Sequence, residues 1–365
     1  MRNVLVTADW HLRKSGCIWP KYPTITGDIE WGMRQVMNQI THCDNHVSHV
    51  LLLGDVFNER VQRSQAVINM RDWVAELATH GVELLYVQGQ HERATPTWLS
   101  AIHPWPQHIH EQVVEITPNF RVYGLDYQFP HKVREALARI PREANVLATH
   151  QVWKDFLSAD SGDAWFEWVP DNIELIITGD YHVHEARNAP GKCVLSPGPL
   201  CPQRIDENTN TGTFLVDTDT LVYQYMPLST RHIYQVAISD EAQLHAFCDG
   251  WAANTIRQPG HGPEATRKNI LRVHYLTTIP RVWEAVQRAV GDDVHLFPAP
   301  QNPRQEQDTI AEQDRIETVL DQGMPGIIRQ FYSDDAQAAS DAIRIWASLN
   351  PTEEIKAIVH EHMSQ

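Results

Sequence analysis

Five short apolar runs along the chain each end in an aspartate, a histidine or an amide. They lie at 4–11, 50–55, 84–92, 145–150 and 175–184, and the clearest is Val50-Leu51-Leu52-Leu53 followed by Gly54-Asp55. A continuous apolar run of this length is typical of a strand buried on both faces. In open α/β sheets, ligands bind beyond the carboxyl ends of the strands. The pattern therefore predicts that these polar side chains meet in one place, as in a metal centre.

Segments with helical periodicity lie between the first predicted strands. Apolar positions spaced for one face predict a helix from Asp28 to about Gln39, and a second helix runs from a capping Ser64 to about His80. After residue 112 the strand signals come closer together, with one helix at 131–138. We expect the last strands, at 193–195, 212–217 and 221–225, to close a second sheet against the first. The alternation predicts an α/β sandwich.

The composition changes near residue 229, and the pattern then predicts two further segments. Residues 1–228 form the first domain, and 229–300 show a β-α-β-α-β order typical of a small second domain. Prolines at 298, 300 and 303 predict that a linker begins at about residue 298. The remaining segment, 301–365, is interpreted as the linker and C-terminal helices.

Charge and cysteine content limit the classes of protein to which the chain can belong. Asp and Glu exceed Lys and Arg by 46 − 30 = 16, which alone argues against a broad nucleic-acid footprint, although bound cations or a basic partner would offset it. The five cysteines form no close pair, which suggests reduced thiols. No signal region and no apolar run of about 20 residues is present. A cytoplasmic protein without a membrane segment is expected.

The polar residues at the strand ends are of the types that bind metals. Asp9 and His11 are two residues apart, so both side chains lie on one side of an extended segment. Asp55 is suited to bridging two cations, and Gln90 offers a carbonyl oxygen. Together with the histidines the set mixes nitrogen and oxygen ligands, which suits Mn²⁺, Fe or Zn²⁺ better than Mg²⁺ or Ca²⁺. The histidines are His150, His182 and His184.

Such a set would support phosphoester hydrolysis. Two ions about 3.5–4 Å apart would clamp a phosphate and activate a water molecule. His91 follows Gln90 and is free to protonate a leaving oxygen. Taken singly, His150 is typical of a structural histidine, and the Gln90 amide of a residue that caps a turn. Their place in the ordered series favours the metal-binding interpretation.

The order of these motifs resembles that of the calcineurin-like metallophosphoesterases. The motifs are Asp9-Trp10-His11, Gly54-Asp55, Gly89-Gln90-His91-Glu92, Thr149-His150 and His182-Val183-His184. Ala8-Asp9-Trp10-His11-Leu12, Gly54-Asp55-Val56-Phe57 and Ser196-Pro197-Gly198-Pro199 look like the SbcD-type nuclease subunits of SbcCD complexes, especially phage-encoded versions. The resemblance covers about residues 1–228 and extends weakly over 229–300, which look like the SbcD capping domain.

The resemblance implies a two-sheet αββα sandwich with a capping domain and a role for each site residue. One metal would be held by Asp9, His11, Asp55 and His184, and the second by Asp55, Gln90, His150 and His182. His91 would be the catalytic histidine, with Glu92 as its orienting neighbour. The cofactors would be two Mn²⁺ ions, with Mg²⁺, Fe or Zn²⁺ as alternatives.

The resemblance also implies a function and partners. The chain would be a homodimeric exonuclease on duplex ends and an endonuclease on single strands, acting in DNA repair and recombination with an SbcC-type, SMC-like ATPase. The ATPase would dock on 301–365. The alternatives are a phosphatase or small phosphodiesterase of the same fold, and a catalytically decayed subunit that tethers DNA. The capping unit argues against the phosphatase.

Three positions depart from the family pattern. Gln90 stands where the family has Asn, so its amide group is carried on a longer side chain. Tyr181 occupies the Gly position before the His-x-His pair, while Gly179-Asp180 lies just upstream. Asp180 is interpreted as a turn residue or a neighbour of the ligands. Asn58 stands where many relatives have a phosphate-contacting His or Asp.

Overall fold

The computed structural model describes most of the first 301 residues. The described ranges are 2–13, 27–62, 64–93, 96–102, 106–157, 162–204, 207, 210–231, 233–252, 269–292 and 294–301. The predicted ATPase-docking segment therefore lies outside the described residues, apart from the backbone of Gln301. Within the described part, no helix is both long and apolar enough to cross a membrane.

Fifteen strands and five α-helices make up the described part of the chain. The strands are β1 (Asn3–Thr7), β2 (Val47–Leu53), β3 (Glu83–Val87), β4 (Gln107–His108), β5 (Val113–Thr117), β6 (Phe120–Leu125), β7 (Val146–His150), β8 (Leu175–Gly179), β9 (Glu185–Ala189), β10 (Lys192–Ser196), β11 (Gly212–Asp217), β12 (Tyr223–Pro227), β13 (Ile233–Ile238), β14 (Asn269–Leu276) and β15 (Val294–Gln301). The helices are α1 (Asp28–Thr41), α2 (Ser64–Thr79), α3 (Pro130–Ala138), α4 (Glu241–Ala252) and α5 (Val282–Val290).

The first sheet has the order β12-β11-β1-β2-β3-β4. Its strands β1 to β4 are parallel, whereas β11 runs antiparallel to β1 with Leu5 opposite Leu215. The expectation that the last strands close the second sheet is therefore wrong for β11 and β12. Strand β11 is buried over most of its length and β12 is largely exposed, and the apolar pattern of neither strand specifies which sheet of the sandwich it joins.

The second sheet has the order β5-β6-β7-β8-β10-β9. Strands β6, β7, β8 and β10 are parallel, and the outer strands β5 and β9 run antiparallel to their neighbours. The sequence pattern missed β9, because Glu185-Ala-Arg-Asn-Ala carries no β-branched or aromatic residue. As the outermost strand, β9 needs only one hydrogen-bonded neighbour.

The two sheets pack against each other through alternate residues of their strands. Val4 and Val6 of β1 lie in the same buried cluster as Val146 and Ala148 of β7, whereas Leu147 belongs to a separate cluster with α3. Strand geometry explains this division, because successive side chains point to opposite faces. Burial of each large aliphatic side chain contributes roughly 1.5–3 kcal/mol to the free energy of unfolding.

Helices cover the outer faces of both sheets. Trp10 and Trp73 of α2 meet edge to face with ring centroids 4.7 Å apart, and both are buried. Val133 and Leu137 of α3 lie in the cluster formed with the second sheet. The predicted αββα sandwich is thereby confirmed.

A separate three-stranded sheet follows, in the order β13-β14-β15, with α4 and α5 between its strands in the chain. The predicted β-α-β-α-β order is present. The linker does not begin at residue 298, because β15 continues through Pro298 and Pro300 to Gln301. An edge strand tolerates proline, since the missing N–H groups can face away from the neighbouring strand. The domain boundaries at 228 and 300 stay predictions.

A buried ion pair at the start of α1 gives a testable stability effect. Nε and Nη2 of Arg231 donate to the two carboxylate oxygens of Asp28 at 3.2 and 3.1 Å, and both residues are buried. Arg231→Met is expected to lower the free energy of unfolding by about 3–5 kcal/mol, because it leaves the buried Asp28 carboxylate without its ion-pair partner. Urea denaturation measures this loss. Arg71→Met, which breaks an exposed pair with Asp72, is the control, and equal losses in the two variants would contradict the assignment.

Candidate metal centre

The parallel strands of both sheets direct their carboxyl ends into one site. Asp9 and His11 follow β1, Asp55 follows β2, His150 ends β7 and His182 follows β8. His11 Nε2 lies 3.2 Å from His182 Nε2, and His182 Nε2 lies 3.8 Å from Asp9 Oδ1. His150 Nε2 lies 3.5 Å from Asp55 Oδ2 and 3.9 Å from Asp9 Oδ1. The structure thus brings together five of the predicted metal ligands from four strand ends.

Asp55 lies between two groups of possible ligands. One group is Asp9, Asp55 and His150, and another is His11, Asp55 and His91. Asp9, His11 and His182 form a further group. The Asp55 Oδ2 atom is 3.8 Å from His11 Nε2 and 3.7 Å from His91 Nε2. This position is the one that a carboxylate bridging two cations would require.

The backbone around these carboxylates adopts a conformation that few non-glycine residues adopt. Asp9, His11 and Asp55 have φ angles of 53°, 47° and 46°. Two hydrogen bonds tie the β1 and β2 loops together, from Asp9 N to Gly54 O at 3.2 Å and from His11 N to Asp55 O at 2.8 Å. Strained backbone of this kind is retained where the surrounding structure holds it, commonly at functional sites.

Two glycines allow the strand ends to approach closely. A Cβ atom on Gly89 would lie 2.0 Å from Asp55 Oδ1, and one on Gly179 would lie 2.2 Å from Leu53 O. Both distances are far below van der Waals contact. Any side chain at either position would therefore displace the Asp55 carboxylate or separate β2 from β8 at the site.

Hydrogen bonds from the second ring nitrogen orient two of the histidines. His150 Nδ1 lies 2.6 Å from the carbonyl oxygen of Leu53, and His182 Nδ1 lies 2.9 Å from Glu207 Oε1. In each ring, Nε2 is the atom left facing the site. Carbonyl and carboxylate partners commonly fix metal-binding histidines in this way. Sequence analysis missed Glu207, because no motif surrounds it.

Four buried atoms at the site fit a bound cation. Among the described residues they have no hydrogen-bond partner, although each is shielded from solvent. They are Asp9 Oδ2, Asp55 Oδ2, Gln90 Oε1 and His150 Nε2. Leaving buried polar atoms without partners costs about 1–3 kcal/mol each. Carboxylate, amide and imidazole atoms are ligands for Mn²⁺, Fe and Zn²⁺, so the donor set fits divalent metals without specifying which one.

Electrostatics at the site reflect burial and close pairing. Complete burial raises the pKa of Asp9 to about 6, partly opposed by the neighbouring histidines. Burial disfavours the charged form of His150, but the Asp55 and Asp9 carboxylates outweigh it and raise its pKa. Burial likewise opposes ionisation of Asp55, yet His150 and His11 hold its pKa well below the usual range. A divalent cation bound here would compete with protons for the same carboxylate and imidazole atoms.

The two predicted catalytic residues, His91 and Glu92, have different surroundings. His91 is exposed, its Nδ1 lies 3.1 Å from Asn58 O, and its backbone N–H donates to Asp55 Oδ1 at 3.0 Å. Glu92 is buried, and its carboxylate accepts the N–H groups of Phe57 and Gly89 at 2.8 and 3.4 Å. Burial raises the pKa of Glu92 to about 8. The ring of His91 is therefore oriented by Asn58, while Glu92 joins the β2 and β3 loops.

The remaining two predicted ligands lie at the margins. Gln90 is half-buried, and its Nε2 donates to Asp180 Oδ1 at 2.6 Å. His184 belongs to none of the metal-competent groups found among the described residues. Its Nδ1 lies 3.2 Å from Pro197 O, and its ring stacks on Phe214 and packs at a tilt against Tyr225, with centroids 4.4 and 4.0 Å away.

An open cleft of about 1090 Å³ adjoins the site at Gln90. Arg60, Arg93 and Phe129 line it, and the Arg93 guanidinium lies 4.8 Å from the centre of the Phe129 ring. Phe129 is 47% exposed. Asp126 is the one carboxylate among the described lining residues, and its Oδ1 atom lies 2.9 Å from His108 Nε2. Sequence analysis missed these residues, because single arginines in loops form no motif.

Comparison with known proteins gives one similar sequence and several similar structures. No protein-family model matches the chain. The uncharacterized metallophosphoesterase YhaO of Bacillus subtilis strain 168 is 25% identical over 187 residues, which is 47% of this chain and 45% of the relative. The chain thus spans about half the length of the curated relative it matches.

Three solved structures show partial likeness. The match to an archaeal phosphodiesterase covers 62% of this chain and 99% of the phosphodiesterase chain, with 13% identity and a TM-score of 0.35. The match to a putative 5′-nucleotidase from Staphylococcus aureus, solved with α-ketoglutarate, covers 69% of this chain and 58% of the nucleotidase chain, with 15% identity and a TM-score of 0.44. The match to zinc-bound Vps29 from Entamoeba histolytica covers 62% of this chain and 98% of the Vps29 chain, with 17% identity and a TM-score of 0.31.

The sequence similarity and the geometry agree with each other. The similar sequence is that of a metallophosphoesterase, and the sandwich directs aspartates and histidines from both sheets into one buried cluster. The chain is thus similar in sequence to a metallophosphoesterase, and it combines a two-sheet fold with clustered side chains that could bind metal.

Proposed function

We propose that the chain is a dinuclear metal-dependent phosphodiesterase whose substrate is DNA. The observation that carries the hydrolase proposal is the convergence of four buried ligand atoms without hydrogen-bond partners among the described residues. Asp55 lies between the ligand groups and would be shared by the two metals. Bound divalent ions would stabilise negative charge on the phosphoester and lower the pKa of water.

His91 is the group that would protonate the leaving oxygen. Its Nε2 lies 3.7 Å from Asp55 Oδ2, so the ring borders the metal cluster, while its exposed position lets a substrate reach it. The carbonyl of Asn58 accepts from Nδ1–H, which leaves Nε2 to carry a proton toward the substrate when the ring is charged. A positioned acid of this kind contributes about 10²–10⁴-fold to the rate.

The cleft beside Gln90 supports a polynucleotide as substrate. Arg60 and Arg93 supply positive charge for phosphates in a chain whose net charge is −16. Phe129 exposes an aromatic face near them, and stacking of a base on such a face is worth about 1–3 kcal/mol. A cleft of about 1090 Å³ exceeds what a single phosphate group requires. These features favour a DNA strand over a small phosphomonoester.

The finer assignments rest on the sequence resemblance. Exonuclease action on duplex ends, endonuclease action on single strands, a homodimer, an SbcC-type ATPase partner and a role in DNA repair are proposals of that kind. The segment expected to dock on the ATPase lies at 301–365, outside the described side chains.

The deciding experiment compares three substrates at equal enzyme concentration with Mn²⁺, Mg²⁺ or Zn²⁺. They are p-nitrophenyl phosphate, bis(p-nitrophenyl) phosphate, and linear duplex or circular single-stranded DNA. We expect hydrolysis of the diester and cleavage of DNA with Mn²⁺. Turnover of small esters with intact DNA would identify a phosphatase or small phosphodiesterase. Fewer than two Mn²⁺ ions per chain, without turnover, would support the decayed tethering subunit.

The arginines of the cleft give a separate prediction. In a catalytically inactive background, the double variant Arg60→Ala, Arg93→Ala is expected to weaken single-stranded DNA binding and reduce its salt dependence. Each lost phosphate contact lowers the slope of log K against log salt by about 0.7. Fluorescence anisotropy at several salt concentrations measures the slope. Arg71→Ala, an exposed arginine outside the cleft, is the control. An unchanged slope in the double variant would contradict a role in DNA binding.

A further inference from the structure

In the loop after β8, an aspartate precedes the two histidines in the chain and lies next to the proposed metal cluster. Asp180 directly follows Gly179, the last residue of β8, and precedes His182 by two positions. Asp180 Oδ1 lies 3.9 Å from His150 Nε2 and 2.6 Å from Gln90 Nε2. The carboxylate thus lies beside two of the four side chains that the sequence resemblance assigned to the second metal.

The backbone of Asp180 is held in place by the cluster itself. Its φ angle is 73°, in the left-handed region, and its N–H donates to Asp9 Oδ1 at 3.1 Å. This bond fixes the direction in which the Asp180 side chain leaves the turn. A non-glycine residue in the left-handed region is uncommon, and the three other such residues of this site are Asp9, His11 and Asp55.

His150 and Gln90, which neighbour the Asp180 carboxylate, both carry atoms suited to binding a cation. His150 Nε2 is fully buried and, like Gln90 Oε1 and Asp55 Oδ2, has no hydrogen-bond partner among the described residues. Ligand atoms lie about 2.0–2.3 Å from a divalent ion, so two ligands of one ion lie at most about 4.5 Å apart. The 3.9 Å between Asp180 Oδ1 and His150 Nε2 satisfies this limit for that pair. Asp180, like His184, belongs to none of the three-residue ligand groups found among the described residues.

The two histidines downstream are placed elsewhere. His182 Nε2 lies with the first group, 3.2 Å from His11 Nε2 and 3.8 Å from Asp9 Oδ1. His184 packs between Phe214 and Tyr225, with its Nδ1 directed at the carbonyl of Pro197. The two side chains after β8 that lie at the cluster, Asp180 and His182, are thus two residues closer to the N-terminus than the histidine pair expected from the sequence.

We propose that Asp180, and not His184, is a metal ligand, and that it completes the second position with Asp55, Gln90 and His150. His182 then joins Asp9, His11 and Asp55 at the first position. The inference rests on the proposed function, because it needs two metals at this site. Three carboxylates then serve two cations, and a set richer in oxygen favours Mn²⁺ or Mg²⁺ over Zn²⁺.

Metal binding tests the inference without reference to activity. Equilibrium dialysis with Mn²⁺, followed by metal analysis, counts the ions in the wild type and in Asp180→Ala, Asp180→His and His184→Phe. We expect two ions in the wild type, one in Asp180→Ala at concentrations that saturate the wild type, and two in His184→Phe, whose new ring preserves the stacking. Asp180→His restores a ligand, and is expected to regain the second ion with a higher affinity for Zn²⁺ relative to Mn²⁺.

The possible failures are distinguishable. If the wild type binds fewer than two ions, the dinuclear hydrolase itself is wrong and this inference fails with it. If the wild type binds two, retention of both in Asp180→Ala, or loss of one in His184→Phe alone, overturns the inference and leaves the proposed function standing. Circular dichroism of each variant shows that it is folded. A loss of metal from a folded Asp180→Ala that Asp180→His does not reverse counts against a ligand role.

Discussion

Replacement of Asp55 by alanine is expected to remove both metal ions and to lower phosphodiester hydrolysis by a factor of about 10³ or more. Asp55 Oδ2 lies 3.5–3.8 Å from the Nε2 atoms of His11, His91 and His150, so one oxygen faces both groups of ligands. Loss of the metals would remove several kcal/mol of transition-state stabilisation, and each 1.36 kcal/mol is a factor of ten in rate. Metal analysis and hydrolysis of bis(p-nitrophenyl) phosphate measure the two effects.

Two further variants separate metal loss from misfolding. Asp55→Asn keeps an oxygen that can accept the N–H of His91, which Asp55 Oδ1 accepts at 3.0 Å, while it removes the negative charge. It is expected to fold and still to lose metal. Asp72→Ala removes an exposed carboxylate on α2 and should change neither quantity. Two tightly bound ions in a folded Asp55→Ala would show that the metal centre lies elsewhere.

Replacement of His91 by alanine is expected to lower kcat by about 10²–10⁴-fold while the metal content stays near that of the wild type. The ring is exposed and is oriented by Asn58 O, and the other histidines of the cluster remain to bind metal. The loss should depend on the leaving group. A nitrophenolate leaves without a proton, whereas the alkoxide of a nucleotide sugar needs one. The ratio of the two losses therefore reports proton donation directly.

The comparison uses bis(p-nitrophenyl) phosphate and a short DNA strand, each with saturating Mn²⁺. His80→Ala, at an exposed histidine just beyond the end of α2, is the control. Equal losses on both substrates would argue for a positioning role of His91. A parallel loss of metal would make His91 a ligand, since it lies within one of the ligand groups.

The positions of the strands in the sequence were predicted more reliably than the way in which the strands pair. The apolar runs of β1, β2, β3, β7 and β8 are nearly continuous, because these strands are buried on both faces in the middle of the sheets. The position of β11 beside β1 was not predictable, because strand pairing depends on side chains more than 200 residues apart, such as Leu5 and Leu215. Edge strand β9 lacks the pattern altogether.

The strand ends carry the candidate site residues that the sequence predicted, whereas the loops around them carry candidate residues that it did not predict. Asp9, His11, Asp55 and His150 lie within four residues of a buried strand, and the strand carries them to the cluster. Glu207, Arg60 and Phe129 approach through loops, whose course follows from tertiary contacts. Their residue types are common on any protein surface. No local signal distinguishes them from solvated side chains.

The sequence by itself determined which strand ends carry candidate metal-binding side chains, because each apolar run and the polar residue after it are adjacent in the chain. It also determined that carboxylates and histidines would alternate in a set suited to divalent cations. Only the tertiary structure decided how these side chains are grouped. Asp180, His182 and His184 are equivalent in spacing, and what separates them is the direction of the turn after β8. That direction is set by contacts with Asp9, His11 and Phe214, which come from distant parts of the chain.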